Sequence, residues 1–126
     1  MKELTKAEEQ VMNYLWKLEK AYLKDIVAQF PEPAPAYTTI STVVNVLVKK
    51  SFIGFELHGK AKLYQPMISK KNYTRHAFKG MLSSFFNDSP QQFASFFTQE
   101  NDLDLTELQE LKSMIEDQIS KQKEDK

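Results

Sequence analysis

The chain has 126 residues, enough for one modest hydrophobic core or for a small domain with an attached arm, but not for two full domains. It is 41% hydrophobic and 27% charged, close to globular averages, which excludes wholesale disorder, and it holds no cysteine, which excludes disulfides, thiolate metal sites and thiol nucleophiles. Its net charge of zero hides an asymmetry: residues 1–87 carry 13 Lys/Arg against 7 Asp/Glu, and residues 88–126 carry 4 against 10.

A basic front suits a polyanion, and an acidic rear suits any partner but one. The N-terminal Met1-Lys2-Glu3-Leu4-Thr5 has no apolar signal core. No run approaches the roughly 20 apolar residues of a membrane span, so the expectation is a cytoplasmic protein with no membrane insertion. Asn72-Tyr73-Thr74 matches a glycosylation sequon, but so short a pattern arises often by chance and means nothing without secretion.

Thr5-Lys6-Ala7-Glu8 reads as a capping box, and Val11, Met12, Leu15, Trp16 and Leu18 form an inward face, predicting a first helix over about 6–19. Leu23, Ile26, Val27 and Phe30 repeat at helical spacing and predict a short second helix, about 23–30, that must stop at Pro31. Pro31-Glu32-Pro33-Ala34-Pro35 makes a stiff turn. Ile40, Val43, Val44 and Leu47 then predict a third helix, about 38–50, with Thr38, Thr39, Ser41, Thr42, Asn45 and Lys49 on its other side.

From Phe52 the period changes to two. Ile53, Phe55 and Leu57 alternate with Gly54, Glu56 and His58, Gly59-Lys60 permits a reversal, and Lys62–Gln65 closes a hairpin with His58, Lys60 and Lys62 near its tip. Ser69 can cap a fourth helix, Ser89-Pro90-Gln91-Gln92 opens a fifth, and Asp104-Leu105-Thr106-Glu107 caps a sixth that is expected to fray into the charged tail Lys121–Lys126.

Three helices followed by a hairpin within 66 residues is the order of a winged helix-turn-helix. In such a fold the third helix lies in the major groove with its first residues at base edges, and a cationic hairpin reaches the neighbouring backbone. Thr38, Thr39, Ser41 and Thr42 put four hydroxyls in five positions there, more than helix capping needs. They allow close backbone approach, donate to phosphates and offer methyl groups to thymine. Lys49, Lys50, Lys60 and Lys62 are candidate phosphate contacts. Arg75 is the only arginine, so the bidentate Arg contact to guanine is missing from this helix, and affinity must come from lysines and pairing.

The predicted fold is therefore mainly α with a small β-hairpin wing: a winged helix-turn-helix over residues 1–67, then a helical dimerisation region over 68–126. About 40 residues in the fifth and sixth helices cannot close a core of their own. Phe78, Met81, Leu82, Phe85, Phe93, Phe96, Phe97, Leu108, Leu111 and Ile115 are expected to bury against a second copy, and pairing lets modest half-site binding add up. His58 and His76 lack metal-site spacing and three glycines make no phosphate cradle, so no catalysis, metal or cofactor is expected. The partner expected is a double-stranded DNA operator; the alternative is a winged helix that contacts protein without reading DNA.

Thr5-Lys6-Ala7-Glu8 through Val11-Met12 and Trp16, then Tyr37-Thr38-Thr39-Ile40-Ser41-Thr42-Val43, Leu47, Lys49-Lys50, Phe52-Ile53 and Tyr64, resemble the penicillinase-repressor (BlaI/MecI/CopY) family across nearly the whole chain. The resemblance implies homodimeric winged-helix repressors that read DNA through the Thr38 to Asn45 face and pair through an arm after Pro66. It also implies release by a signalling protease that cuts the arm, which by alignment falls at Ser95-Phe96, with Ser95 where Asn is expected. Two departures stand out. Asn45-Val46 replaces basic residues, and Ser51 replaces a glycine suited to the left-handed end of a helix. The copper-sensing branch uses C-terminal cysteines, and this chain has none.

Overall fold

The computed structural model describes residues 3–125, so Met1 and Lys2 of the signal argument and Lys126 of the tail lie outside it. The element order is α1 (Lys6–Leu18), α2 (Leu23–Gln29), α3 (Tyr37–Lys49), β1 (Ile53–His58), β2 (Ala61–Pro66), α4 (Lys70–Phe86), α5 (Pro90–Glu100) and α6 (Leu105–Glu124). Two units divide the chain, the first ending at Phe78 and the second beginning at Lys79.

The first unit is a winged helix. The Thr5 hydroxyl accepts from the Glu8 N–H and the Glu8 carboxylate from the Thr5 N–H, so the expected capping box starts α1. Val11, Met12 and Leu15 from α1, Ile26 from α2, Ile40, Val44 and Leu47 from α3, and Phe52, Ile53 and Tyr64 from the hairpin are buried together. Each such side chain contributes about 1.5–3 kcal/mol by leaving water. The antiparallel hairpin pairs Ile53 with Pro66 and His58 with Ala61, turning at Gly59, whose φ of +65° glycine adopts without strain. A third short partner was absent from the sequence reading: Ala21 exchanges both backbone hydrogen bonds with Tyr64, at 3.0 and 2.8 Å. That bridge ties the α1–α2 connection to the wing.

α4 enters this unit through Tyr73. The Leu4 N–H donates to its hydroxyl at 3.2 Å, and its ring lies 6.0 Å from those of Trp16 and Phe52. The Trp16 indole N–H in turn donates to the Ile68 carbonyl at 2.8 Å. The winged unit therefore continues past residue 67 into the first turns of α4.

In the second unit, Ser89 caps α5 and the Asp104–Glu107 capping box starts α6, as expected. The expected fraying from Lys121 is overturned: α6 continues to Glu124. Lys121 and Lys123 sit in its last turn, where cations favour the negative end of the helix dipole. Phe86 meets Phe93 and Phe96 at 5.7 and 5.5 Å, and Phe93 stacks on Phe97 at 5.7 Å. Yet among described residues after Lys79 none is buried.

Candidate nucleic-acid interface

α3 begins at Tyr37 with Ala36 as its N-cap, and no side chain caps it. Thr38 and Thr39 are thus helical residues, and none of the hydroxyls is consumed as the cap. Ile40, Val44 and Leu47 point into the core. Thr38, Thr42, Asn45 and Lys49 follow one another at spacings of four, three and four, which aligns them on a single exposed stripe opposite that core. Thr39 flanks the stripe exposed, while Ser41 flanks it half-buried. The Thr42 hydroxyl donates to the Thr38 carbonyl at 2.9 Å. With that proton committed in an exposed residue, Thr42 is better suited to accept or to pack than to donate.

Lys50 leaves the expected set. It caps α3 and turns inward, its ammonium 2.7 and 3.0 Å from the two carboxylate oxygens of the buried Glu8. Burial pushes the Glu8 carboxyl up, but the hydrogen bonds from Lys50 and Thr5 and the Lys50 charge together hold it below its ordinary value. A lysine bound to a buried carboxylate has its charge matched, and moving it to a phosphate would strand Glu8. Lys49, one residue earlier, remains on the exposed stripe.

The candidate wing residues His58, Lys60 and Lys62 are all exposed. His58 lies 3.4 Å from Glu56 and edge-on to Tyr22 at 6.3 Å, Lys60 stands in the turn beside Gly59, and the Lys62 ammonium lies 4.7 Å over the Phe55 ring. Lys60 and Lys62 share a groove with residues the sequence reading missed: Tyr22 and Lys24 at the start of α2, and Tyr37 at the start of α3. Only folding brings these together, since nearly forty residues separate Lys24 from Lys62 and no periodicity links them. Tyr64 lies beneath, buried, its phenol pushed up first by that burial and then by neighbouring Tyr37.

The expected pairing residues are spread over α4, α5 and α6. Phe78, Phe85, Phe96, Leu108 and Ile115 are exposed, Phe85 to 77%, while Met81, Leu82, Phe93, Phe97 and Leu111 are half-buried. Ser95 and Phe96 are exposed in the middle of α5. Proteases bind substrates in extended form, so cutting there requires the helix to open locally first. Among the described residues no group of three His, Cys, Asp or Glu is placed to hold a metal ion, and no helix is long and apolar enough to cross a membrane.

The chain is 23% identical over 123 residues to the penicillinase repressor of Bacillus licheniformis, covering 97% of this chain and 96% of that protein. It is 23% identical over 114 residues to the methicillin resistance regulatory protein MecI of Staphylococcus aureus (strain N315), covering 90% and 93%. Among solved structures, the DNA-binding domain of the repressor BlaI superimposes with a TM-score of 0.50 at 25% identity, covering 58% of this chain and 94% of that one. Residues 4–117 match the penicillinase repressor family, and the chain belongs to that family of winged-helix transcriptional regulators.

Proposed function

We propose that this protein is a homodimeric, cytoplasmic transcriptional repressor that occupies a pseudo-palindromic operator. α3 enters the major groove with Thr38, Thr42, Asn45 and Lys49 toward the bases, flanked by Thr39 and Ser41. His58, Lys60 and Lys62 of the wing hold the adjacent backbone, and α4 to α6 join two copies. Residues 1–67, together with the first turns of α4, form the DNA-binding part, and the rest of the chain the joint. The protein performs no chemistry and represses by occluding a promoter.

The observation that carries this reading is the exposed polar stripe of α3 set beside unpaired wing lysines, in a chain of a repressor family. Pairing is supported by the second unit, where large apolar side chains stand exposed and none is buried. Monomers rarely leave so many apolar side chains uncovered. Release of repression by cleavage at Ser95-Phe96 belongs to the same reading, with a signalling protease as the partner. An intact chain under inducing conditions, while the target genes are on, removes that part alone.

The test is titration of promoter DNA, beginning with the region upstream of the protein's own gene, at several salt concentrations. The logarithm of the affinity should fall with that of the salt by about 0.9 per phosphate contacted. A flat response removes the DNA reading and leaves a winged helix that contacts protein.

A further inference from the structure

The start of α2, the start of α3 and the wing wall an open groove of about 640 Å³. Lys24, Lys60 and Lys62 line it with Tyr22, Tyr37 and Tyr64, and no carboxylate does. Two of the three ammonium groups lie over aromatic faces, Lys24 at 6.0 Å from the Tyr22 ring and Lys62 at 4.7 Å from that of Phe55. A ring orients a cation without cancelling its charge as a carboxylate would. The acidic groups nearest in sequence are engaged elsewhere: Asp25 accepts from the Tyr22 backbone N–H at 3.0 Å, and Glu56 lies against His58. Among the described residues no ion pair reaches any of the three lysines.

Three unneutralised cations around one open channel, two of them oriented by rings, repel each other until an anion arrives. Tyr37 belongs both to the groove and to the first turn of α3, so the groove opens at the helix end where the stripe begins with Thr38. We propose that this groove seats consecutive backbone phosphates of one DNA strand, with Lys24 as the third cation beside the wing's Lys60 and Lys62. The inference rests on the DNA-binding reading and adds to it a contact from α2, which supplies affinity where arginine is lacking. Lys24 here reads no base; it sets register and strength.

The full-length chain is titrated against an operator duplex and an unrelated duplex between about 50 and 200 mM salt. Lys24→Ala should weaken both by a similar factor, on the order of fivefold to tenfold near 0.1 M salt, and should reduce the salt slope by about 0.9. Lys24→Arg should restore both, with an unchanged melting temperature in each variant showing that the fold is kept. Unchanged affinity and slope in Lys24→Ala overturn the groove while leaving the repressor reading intact. A loss confined to the operator reassigns Lys24 to base reading and also overturns it. Displacement of wild-type protein from DNA by millimolar inorganic phosphate at constant ionic strength would make the groove a small-anion site instead. A wild-type chain that binds neither duplex defeats both the groove and the function on which it rests.

Discussion

Glu8 closes the capping box of α1 and at the same time holds Lys50 at the end of α3. A carboxylate at 5% exposure is tolerated because its oxygens have partners, one hydrogen bond from the Thr5 N–H and two from the Lys50 ammonium. Lys50→Ala should therefore destabilise the fold by about 1–3 kcal/mol, the penalty of leaving a buried group unsatisfied, and leave the salt slope of DNA binding unchanged. A fall in that slope would return Lys50 to the phosphate contacts. The Glu8 carboxyl is held below its ordinary value, so its stabilising contribution is full above about 4.5 and is lost as pH falls through the folded value. Melting temperature followed downward from pH 5 should drop in the wild type and drop less in Lys50→Ala. The sequence showed the Thr5–Glu8 box but not the Lys50 pair, because a capping box is local in the chain and an ion pair over forty-two residues is not.

At the scale of elements, α3 ends as its chemistry requires. The Ser51 N–H donates to the Val48 carbonyl and the Phe52 N–H to that of Leu47, both at 3.0 Å, with Ser51 at a φ of +67°. This is the left-handed position where relatives were expected to carry glycine. Ser51→Gly should raise stability by up to about 1 kcal/mol, the relief of left-handed strain being partly offset by the freer unfolded chain. A lowered melting temperature would show that the serine makes a compensating contact.

At the other end of α3, Thr42→Ala should weaken operator discrimination more than non-specific binding, and an equal loss on both would reassign it to the backbone. The stripe of Thr38, Thr42, Asn45 and Lys49 was legible because helical spacing alone separates it from Ile40, Val44 and Leu47. The bridge from Ala21 to Tyr64 and the burial of Tyr73 were not. A two-residue ladder has no period, and Tyr73 sits on α4 among polar neighbours that give no apolar stripe of their own.

At the scale of the whole molecule, the two units contrast in how they bury their apolar side chains. The first has a closed core, while the second has aromatic contacts among Phe86, Phe93, Phe96 and Phe97 but no buried residue among those described. An arm of that kind is stable when a second copy covers it. Phe85, 77% exposed, is the cleanest probe, since its loss removes little packing within one chain. Phe85→Asp should shift sedimentation toward monomer and bring full-operator affinity toward that of a half-site, while the winged unit melts unchanged. An unaltered dimer would move the interface to another face of the arm.

The order of helices and hairpin, the polar face of α3, the caps of α1, α5 and α6 and the apolar surplus of the arm were all written in spacing and composition. Periodicity and capping are properties of neighbours along the chain, and these features need nothing more. Which lysines stay free was decided only by the tertiary structure. Adjacent Lys49 and Lys50 look alike in sequence, yet one ends on the exposed stripe and the other on Glu8. Lys24, unremarkable on a seven-residue helix, comes to share a groove with the wing. Charge acts through space, and which charges meet is set by packing between elements distant in sequence.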